Sequence, residues 1–226
     1  MGHRGVRGPR PENTLEAFDL AAREGADAIE LDVRPTADGK LAVFHDRDLW
    51  RVAGDPRPVH EVTLSELRAV SGIDVPDLGA ALDLARARAV GVNVEMKHDV
   101  PDRDGLVADV SQAIEHAGRG LELVVSCFDP GMLRAHRARQ PGPAHALLVH
   151  RSAYQDVALL AARVVADGVH VHLTLVAPRT MARLCKGPRF VSVWTVNDLV
   201  VGRRAFELGA DALITDEPGR LRAAFC

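Results

Sequence analysis

The sequence contains few aromatic residues and few cysteines, and it has no long apolar run. Aromatic side chains make up 4% of the 226 residues, so alanine, valine and leucine must fill most of the interior. The three cysteines, Cys127, Cys185 and Cys226, show neither a disulfide framework nor metal-type spacing, which fits a reducing compartment. No stretch reaches the roughly 18 to 20 apolar residues of a membrane span, and no secretory signal pattern follows Met1. We therefore expect a cytoplasmic protein without a membrane span.

An excess of basic residues is also missing. The formal net charge is -3, from 28 Lys and Arg against 31 Asp and Glu. Because nucleic-acid binding domains usually carry a basic excess, we expect no nucleic-acid partner. The composition gives no indication of the oligomeric state.

Short β-branched runs alternate with Ala- and Leu-rich helical patterns along the chain. Such alternation predicts a mostly parallel sheet, and a count close to eight units favours closure into a (β/α)8 or TIM barrel. The expected strands are Ala26–Val33, Leu41–Phe44, Val92–Met96, Glu122–Ser126, His145–Val149, Gly168–Val171, Phe190–Val196 and Ala210–Ile214. The expected helices are Asn13–Glu24, Leu64–Val70, Leu78–Ala89, Gly105–Ala117, Pro130–Arg139, Gln155–Ala166, Ala177–Leu184 and Leu199–Leu208.

No linker marks a second domain, so we expect residues 1–226 to form a single TIM-barrel domain. Asp38-Gly39 is a turn signal, which predicts a hairpin within Asp32–His45. The longest irregular stretch is Asp46–Pro76, which is rich in proline, glycine and charge. We expect this stretch to be a long loop with one small helix.

Glu30 and Asp32 lie two positions apart at the end of an expected strand. Residues with this spacing share one face of a strand, and TIM-barrel enzymes keep their sites at the carboxyl ends of the strands. Two neighbouring carboxylates repel each other unless a cation joins them, which indicates a hard ion such as Mg²⁺ or Ca²⁺. A solvated strand end, or a pairing with arginine, explains these two residues equally well.

Four further residues near expected strand ends have two explanations each. Glu95 and Lys97 form either a simple ion pair, or a third metal ligand and a phosphate-binding cation. Phe128 and Trp194 form either an apolar wall against the carbons of a small polyol, or part of the barrel core. The residues alone leave both choices open.

Two histidines stand beside charged residues at expected strand ends. His3 precedes Arg4, and His45 precedes Asp46. Such a pair suits a general acid and a general base, and an arginine can hold phosphate oxygens through two parallel hydrogen bonds. The other histidines are expected to be structural or on the surface, and among them we single out only His172 because it also ends a strand.

The chain resembles the glycerophosphodiester phosphodiesterase family over nearly its whole length. No single tripeptide is specific, but the ordered set of motifs is. These are His3-Arg4-Gly5, Pro11-Glu12-Asn13-Thr14-Leu15-Glu16-Ala17-Phe18, Gly25-Ala26-Asp27, Glu30-Leu31-Asp32-Val33, Thr36, Asp38-Gly39, His45-Asp46, Thr63-Leu64-Ser65-Glu66-Leu67, Val75-Pro76-Asp77-Leu78, Glu95-Met96-Lys97, Ser126-Cys127-Phe128, Trp194-Thr195-Val196-Asn197 and Ile214-Thr215-Asp216.

The resemblance implies a TIM barrel with a small inserted segment after the second strand, here Asp46–Pro76. It implies a divalent metal, Ca²⁺ or Mg²⁺, and a glycerophosphodiester substrate that is cut to glycerol 3-phosphate and an alcohol. The implied metal ligands are Glu30, Asp32 and Glu95, the acid/base residues are His3 and His45, the phosphate-binding residues are Arg4 and Lys97, and Asn13 helps to orient the pocket.

The resemblance also implies a two-step mechanism. One histidine removes the proton of the glycerol 2-hydroxyl, which attacks phosphorus, while the other protonates the leaving alcohol. Water then opens the cyclic phosphate. We assign His45 as the base and His3 as the acid. Family members carry a short apolar strand before the His-Arg pair, where this chain has only Met1-Gly2, so we expect a truncated first strand.

Three other functions compete with this interpretation. One is a related phospholipase-D-like or lysophospholipase-D-like hydrolase, which shares the barrel and its acidic and histidine residues. Another is a catalytically weak barrel that binds phosphodiesters. The third is an unrelated barrel enzyme that handles a sugar phosphate, which the absence of a glycine-rich phosphate loop near the last strands disfavours.

Overall fold

The computed structural model describes residues 1–8, 10–150 and 166–225, and strands alternate with helices along it. In chain order the strands are β1 (Gly2–His3), β2 (Ala28–Pro35), β3 (Leu41–Val43), β4 (Asp48–Leu49), β5 (Asp55–Pro58), β6 (Gly91–Met96), β7 (Leu123–Cys127), β8 (Ala144–Val149), β9 (Gly168–His172), β10 (Phe190–Trp194) and β11 (Ala212–Leu213). The helices are α1 (Leu15–Arg23), α2 (Trp50–Ala53), α3 (Leu64–Ser71), α4 (Leu78–Arg88), α5 (Arg103–Ala117), α6 (Pro130–Arg139), α7 (Pro178–Leu184), α8 (Leu199–Glu207) and α9 (Pro218–Phe225).

Eight parallel strands form the barrel in the order β1, β2, β6, β7, β8, β9, β10, β11. A parallel bridge between Gly2 and Thr215 brings the last strand beside the first. The His3 amide donates to the Thr215 carbonyl at 2.7 Å, and the Thr215 amide donates to the Met1 carbonyl at 3.0 Å. The predicted (β/α)8 barrel is confirmed, and its first strand is two residues long as expected.

The alternation of side chains along β2 explains how an apolar layer and a polar mouth arise from one strand. Ile29 and Leu31 are fully buried in the main hydrophobic core, which the surrounding helices complete. Glu30 and Asp32 alternate with them and therefore point to the opposite face of the strand. The hairpin predicted within Asp32–His45 is also present, because β3 pairs antiparallel with β2.

Aspartate and threonine side chains set where several helices begin. Thr14, Asp77, Asp129 and Asp198 each accept a hydrogen bond from a backbone N–H in the first turn of the helix that follows. This capping satisfies N–H groups that would otherwise lack a partner. Most of the predicted helices are confirmed. Their ends agree with the predicted ends to within about two residues, the usual uncertainty of helix ends.

Two helical segments need separate comment. The expected helix Gln155–Ala166 lies almost entirely outside the described residues. Helix α9 is not among the expected helices. None of the helices in the described part of the chain has the length and apolar character that a membrane span requires.

The small helix expected within Asp46–Pro76 is confirmed as α3, but the rest of this stretch is not the long loop that we expected. Strands β4 and β5 pair antiparallel, with the single turn of α2 between them, and a 3-10 turn at Val59–Glu61 leads to α3. Buried side chains give this insertion its own small core against the hairpin: Ala42, Phe44, Leu49, Val59, Val62, Leu64, Leu67 and Val75. Apart from α3, these elements are too short to show a hydrophobic period, so the sequence pattern did not reveal them.

Candidate active site

Three carboxylates converge at the carboxyl ends of β2 and β6. Glu30, Asp32 and Glu95 are 4%, 1% and 8% exposed. One oxygen from each lies within 4.8 Å of the others, because the register of the two strands places Asp32 directly beside Glu95. The structure thus brings together the three residues expected to be metal ligands.

Two cations enter the same cluster. The Lys97 ammonium lies 2.6 Å from Asp32 Oδ1 and 2.6 Å from Glu95 Oε1. The Arg4 amide donates to Glu30 Oε2 at 3.0 Å, and Arg4 Nε lies 3.1 Å from Asp32 Oδ2. Burial alone would raise the pKa of Asp32, but Lys97 and Arg4 hold it well below its ordinary value.

The pKa of Glu30 is shifted in the opposite direction from that of Asp32. Burial raises the pKa of this carboxyl, and the neighbouring Asp32 carboxylate raises it further. The charge of Glu30 is therefore unfavourable in the protein alone and would be stabilised by an added cation. Three buried carboxylates with converging oxygens are a donor set that suits a hard divalent ion.

Asn13, in the loop between β1 and α1, is hydrogen-bonded to the acidic cluster. Its Nδ2 donates to Asp32 Oδ2 at 2.8 Å, and its own amide donates to the Arg4 carbonyl at 2.9 Å. Both Asn13 and Arg4 have left-handed backbone conformations, with φ of 58° and 53°. Such conformations cost energy in residues other than glycine and are concentrated at functional sites.

His3 ends β1, and its side chain contacts the carboxylate of Asp216, which follows β11. Its Nδ1 lies 2.7 Å from Asp216 Oδ1. Asn197 Nδ2 in turn donates to Asp216 Oδ2 at 2.8 Å. Burial would lower the pKa of His3, but the hydrogen bond to Asp216 and the charge of Glu30 outweigh it, so that pKa is raised.

His45 has a similar arrangement on the other side of the mouth. Its Nδ1 lies 2.8 Å from Asp46 Oδ1. Buried Arg34 donates from Nε to the His45 carbonyl at 2.8 Å and so anchors its backbone. Burial would raise the pKa of Asp46, but its hydrogen bonds to His45 and Arg51 lower it to about 2. In both histidines Nδ1 is engaged by a carboxylate, which leaves Nε2 available to other groups.

Both histidines line a cavity of about 130 Å³ at the mouth of the barrel. Phe128 and Trp194 form part of its apolar wall and contact each other edge to face, with ring centroids 5.8 Å apart. The full lining is His3, Arg4, Glu30, His45, Asn93, Glu95, Lys97, Phe128, Leu148, Trp194 and Ile214. Every expected site residue therefore lines this cavity except Asp32 and Asn13, which are hydrogen-bonded to each other.

A larger open groove of about 540 Å³ adjoins the cavity. The two spaces share His3, Arg4 and His45, so these three residues stand at the junction. His172, singled out from its position at a strand end, contacts Trp194, with ring centroids 4.9 Å apart. It lines neither space.

The sequence interpretation missed the residues that hold the two histidines. Asp216, Asn197 and Asp46 stood within the quoted motifs without an assigned role, and their polarity next to strand ends was the available signal. Glu12 and Arg51 also join the site, through Arg4 and Asp46. Arg51 carried no signal, because it lies within a stretch expected to be loop.

Comparisons with known proteins identify a matching family. Residues 3–220 match the model of the glycerophosphoryl diester phosphodiesterase family. A glycerophosphodiester phosphodiesterase of Bacillus altitudinis is 31% identical over 233 residues, which cover 97% of this chain and 95% of that protein. The glycerophosphodiester phosphodiesterase structure from Thermotoga maritima is 26% identical with a TM-score of 0.81, covering 99% of this chain and 96% of the other.

The structure of an Oleispira antarctica phosphodiesterase, solved in complex with the product sn-glycerol-3-phosphate, has a similar fold. The TM-score is 0.88 at 24% identity, and the match covers 99% of this chain and 94% of the other. At that identity the likeness concerns the fold.

Proposed function

The chain belongs to the glycerophosphoryl diester phosphodiesterase family, and we propose that it hydrolyses glycerophosphodiesters to glycerol 3-phosphate and an alcohol. The observation that carries the proposal is one cavity lined by two carboxylate-bound histidines, two cations and two carboxylates, Glu30 and Glu95, whose oxygens converge with those of Asp32. These groups supply proton transfer, charge neutralisation and a metal-ligand set, which phosphodiester cleavage requires.

Glu30, Asp32 and Glu95 are the residues proposed to hold the divalent ion, Ca²⁺ or Mg²⁺. A bound ion of this kind withdraws charge from phosphoryl oxygens and so stabilises negative charge that develops in the transition state. The raised pKa of Glu30 supports the assignment, because a carboxylate that is unfavourable without a cation favours binding one.

The protein's own residues bind and orient the substrate in this proposal. Arg4 and Lys97 stand on the cavity wall, where they can contact phosphate oxygens. Phe128 and Trp194 pack against the carbons of the glycerol unit in the cavity. The alcohol then extends into the adjoining groove, because the histidines and Arg4 stand at the junction of the two spaces.

The two histidines have different roles in the proposal. His45 removes the proton of the glycerol 2-hydroxyl, and that oxygen attacks phosphorus to give a cyclic phosphate. His3 protonates the oxygen of the leaving alcohol, and its raised pKa supports this role because a general acid must carry a proton near neutral pH. In the second step the roles reverse: His3 takes a proton from water, and His45 returns one to the 2-oxygen.

Product analysis tests the proposed function. Purified protein is incubated with glycerophosphocholine, lysophosphatidylcholine or sphingomyelin, each with Ca²⁺, with Mg²⁺ and with excess EDTA. We expect glycerol 3-phosphate from glycerophosphocholine, and much less of it in EDTA. Turnover of only the two lipids would favour the phospholipase-D-like alternative. Binding of glycerol 3-phosphate without turnover of any substrate would favour the phosphodiester-binding alternative.

Replacing Asp216 by asparagine is expected to move the alkaline limb of the pH profile of kcat/KM to lower pH. His3 acts as the acid, so activity falls as the pH rises through the pKa of His3. Burial lowers that pKa and the Asp216 carboxylate raises it, so the variant must lose the His3 proton at a lower pH. The exposed Asp109 provides the matched control as Asp109→Asn. An alkaline limb that does not move in Asp216→Asn would contradict the assignment of His3.

A further inference from the structure

Arg51 connects the insertion to both sides of the active site. It lies on α2, and its side chain is 55% exposed at the edge of the groove. Its Nε donates to Asp46 Oδ2 at 2.5 Å, and its Nη2 donates to Glu12 Oε1 at 2.5 Å. One guanidinium thus joins two carboxylates that come from different loops of the barrel mouth.

Each of these carboxylates also contacts a residue of the proposed machinery. Asp46 uses its other oxygen to bind His45 Nδ1 at 2.8 Å. Glu12 Oε1 also accepts a hydrogen bond from Arg4 Nη1 at 3.1 Å. The contacts are continuous from the proposed base to the proposed phosphate-binding arginine, and Arg51 stands at their centre.

The role of Arg51 parallels a contact on the other side of the mouth. His3 is held by Asp216, and Asp216 is held by Asn197, which follows a barrel strand. His45 is held by Asp46, but the second oxygen of Asp46 is held by a residue of the insertion. Fixing a carboxylate in this way orients the imidazole that it binds and determines which ring nitrogen carries the proton.

We propose that Arg51 is a positioning residue for the reaction, which keeps His45 in the Nδ1–H form and orients Arg4 through Glu12. This inference rests on the proposed function of His45 as the base. It gives the insertion a part in catalysis: with Nδ1–H donated to Asp46, the lone pair of His45 Nε2 faces the cavity, where it accepts the substrate proton.

The fork of arginine is necessary for this role. Lysine has a single nitrogen on a flexible stem and cannot present two fixed donors in one plane. Exposed ion pairs contribute little to stability one at a time, so loss of the Arg51 contacts should change the geometry of the site far more than the free energy of unfolding.

Kinetics of Arg51→Gln and Arg51→Lys test the proposal, with Arg57→Gln as the matched control. Arg57 lies in the same insertion, and its side chain pairs with Asp55. We expect Arg51→Gln to lower kcat about 10- to 100-fold with little change in KM, to the same extent for substrates with different alcohols. Arg51→Lys should recover only a small part of the loss, and Arg57→Gln should match the wild type.

A double-mutant cycle and NMR make the test specific to positioning. In the Asp46→Asn background, Arg51→Gln should cause little further loss, because the two residues act through one contact. The ¹⁵N shifts of His45, assigned by their loss in His45→Gln, should show Nδ1–H in the wild type and a mixture of tautomers in Arg51→Gln.

Three results would overturn the inference. One is an unchanged kcat in Arg51→Gln, and another is an unchanged His45 tautomer. The third is a loss confined to KM that varies with the alcohol, which would mean that Arg51 contacts the substrate in the groove. If the wild type releases no glycerol 3-phosphate, the proposed function fails, and the NMR comparison still decides whether Arg51 positions His45.

Discussion

Replacing His45 by alanine is expected to lower kcat by about 10²- to 10⁴-fold, the contribution of a positioned general base. The substrate hydroxyl would keep its proton at the moment of attack, because Asp46 lines the groove and not the cavity that holds the glycerol unit in the proposal. Stability should change little, since the His45 side chain is 34% exposed. The measurement is kcat at saturating substrate and divalent ion, together with the thermal unfolding midpoint.

His60 gives the matched control for this variant. It lies in the same insertion, with its Nε2 3.8 Å from the exposed Glu61 carboxylate, and lines neither the cavity nor the groove. His60→Ala should retain wild-type turnover. Near-wild-type turnover in a folded His45→Ala protein would refute the acid/base assignment, whatever the product analysis shows.

Replacing Glu30 by glutamine is expected to have opposite effects on metal binding and on the stability of the metal-free protein. The pKa of Glu30 is raised by burial and by Asp32, so ionisation of Glu30 destabilises the folded state once the pH exceeds the pKa of the unfolded chain. Glutamine removes that charge and can still accept the hydrogen bond from the Arg4 amide. At pH 8 in EDTA, the variant should therefore unfold at a higher temperature than the wild type.

The same variant should bind the divalent ion poorly and lose activity. A metal ion supplies several kcal/mol of transition-state stabilisation, which corresponds to a loss of about 10³ in kcat/KM. Saturating Mg²⁺ or Ca²⁺ should raise the unfolding midpoint of the wild type, because a ligand that binds only the folded state stabilises it, and should leave that of Glu30→Gln nearly unchanged.

Glu61→Gln serves as the control for removing one negative charge. Glu61 is exposed and belongs to the insertion, away from the three carboxylates. It should bind metal and turn over substrate as the wild type does. Equal stabilisation of wild type and Glu30→Gln by the metal would refute the proposed ligand set and leave the histidine mechanism to be judged on its own results.

The surface that faces the groove offers a way to change substrate preference. Arg7 lines the groove and not the cavity, whereas Phe128 and Trp194 line the cavity and not the groove. In the proposed function the glycerol unit occupies the cavity. Differences between alcohols should therefore depend on Arg7 and leave the glycerol contacts unchanged.

The sequence by itself determined the alternation of strands and helices, and with it the barrel. It also placed Glu30 and Asp32 on one face of a strand, because side chains alternate along β structure whatever surrounds them. The same rule paired Glu95 with Lys97. These results depend on residues that are near one another in the chain, so a local pattern was enough to find them.

Only the tertiary structure decided which partners those residues meet. Closure of the barrel brings Thr215 beside Gly2 and thereby gives His3 its contact with Asp216. The register of β2 and β6 sets Asp32 beside Glu95. Folding of the insertion carries Arg51 to Asp46 and Glu12. Contacts between residues far apart in the chain depend on strand register and on the packing of short elements, neither of which leaves a periodic trace in the sequence.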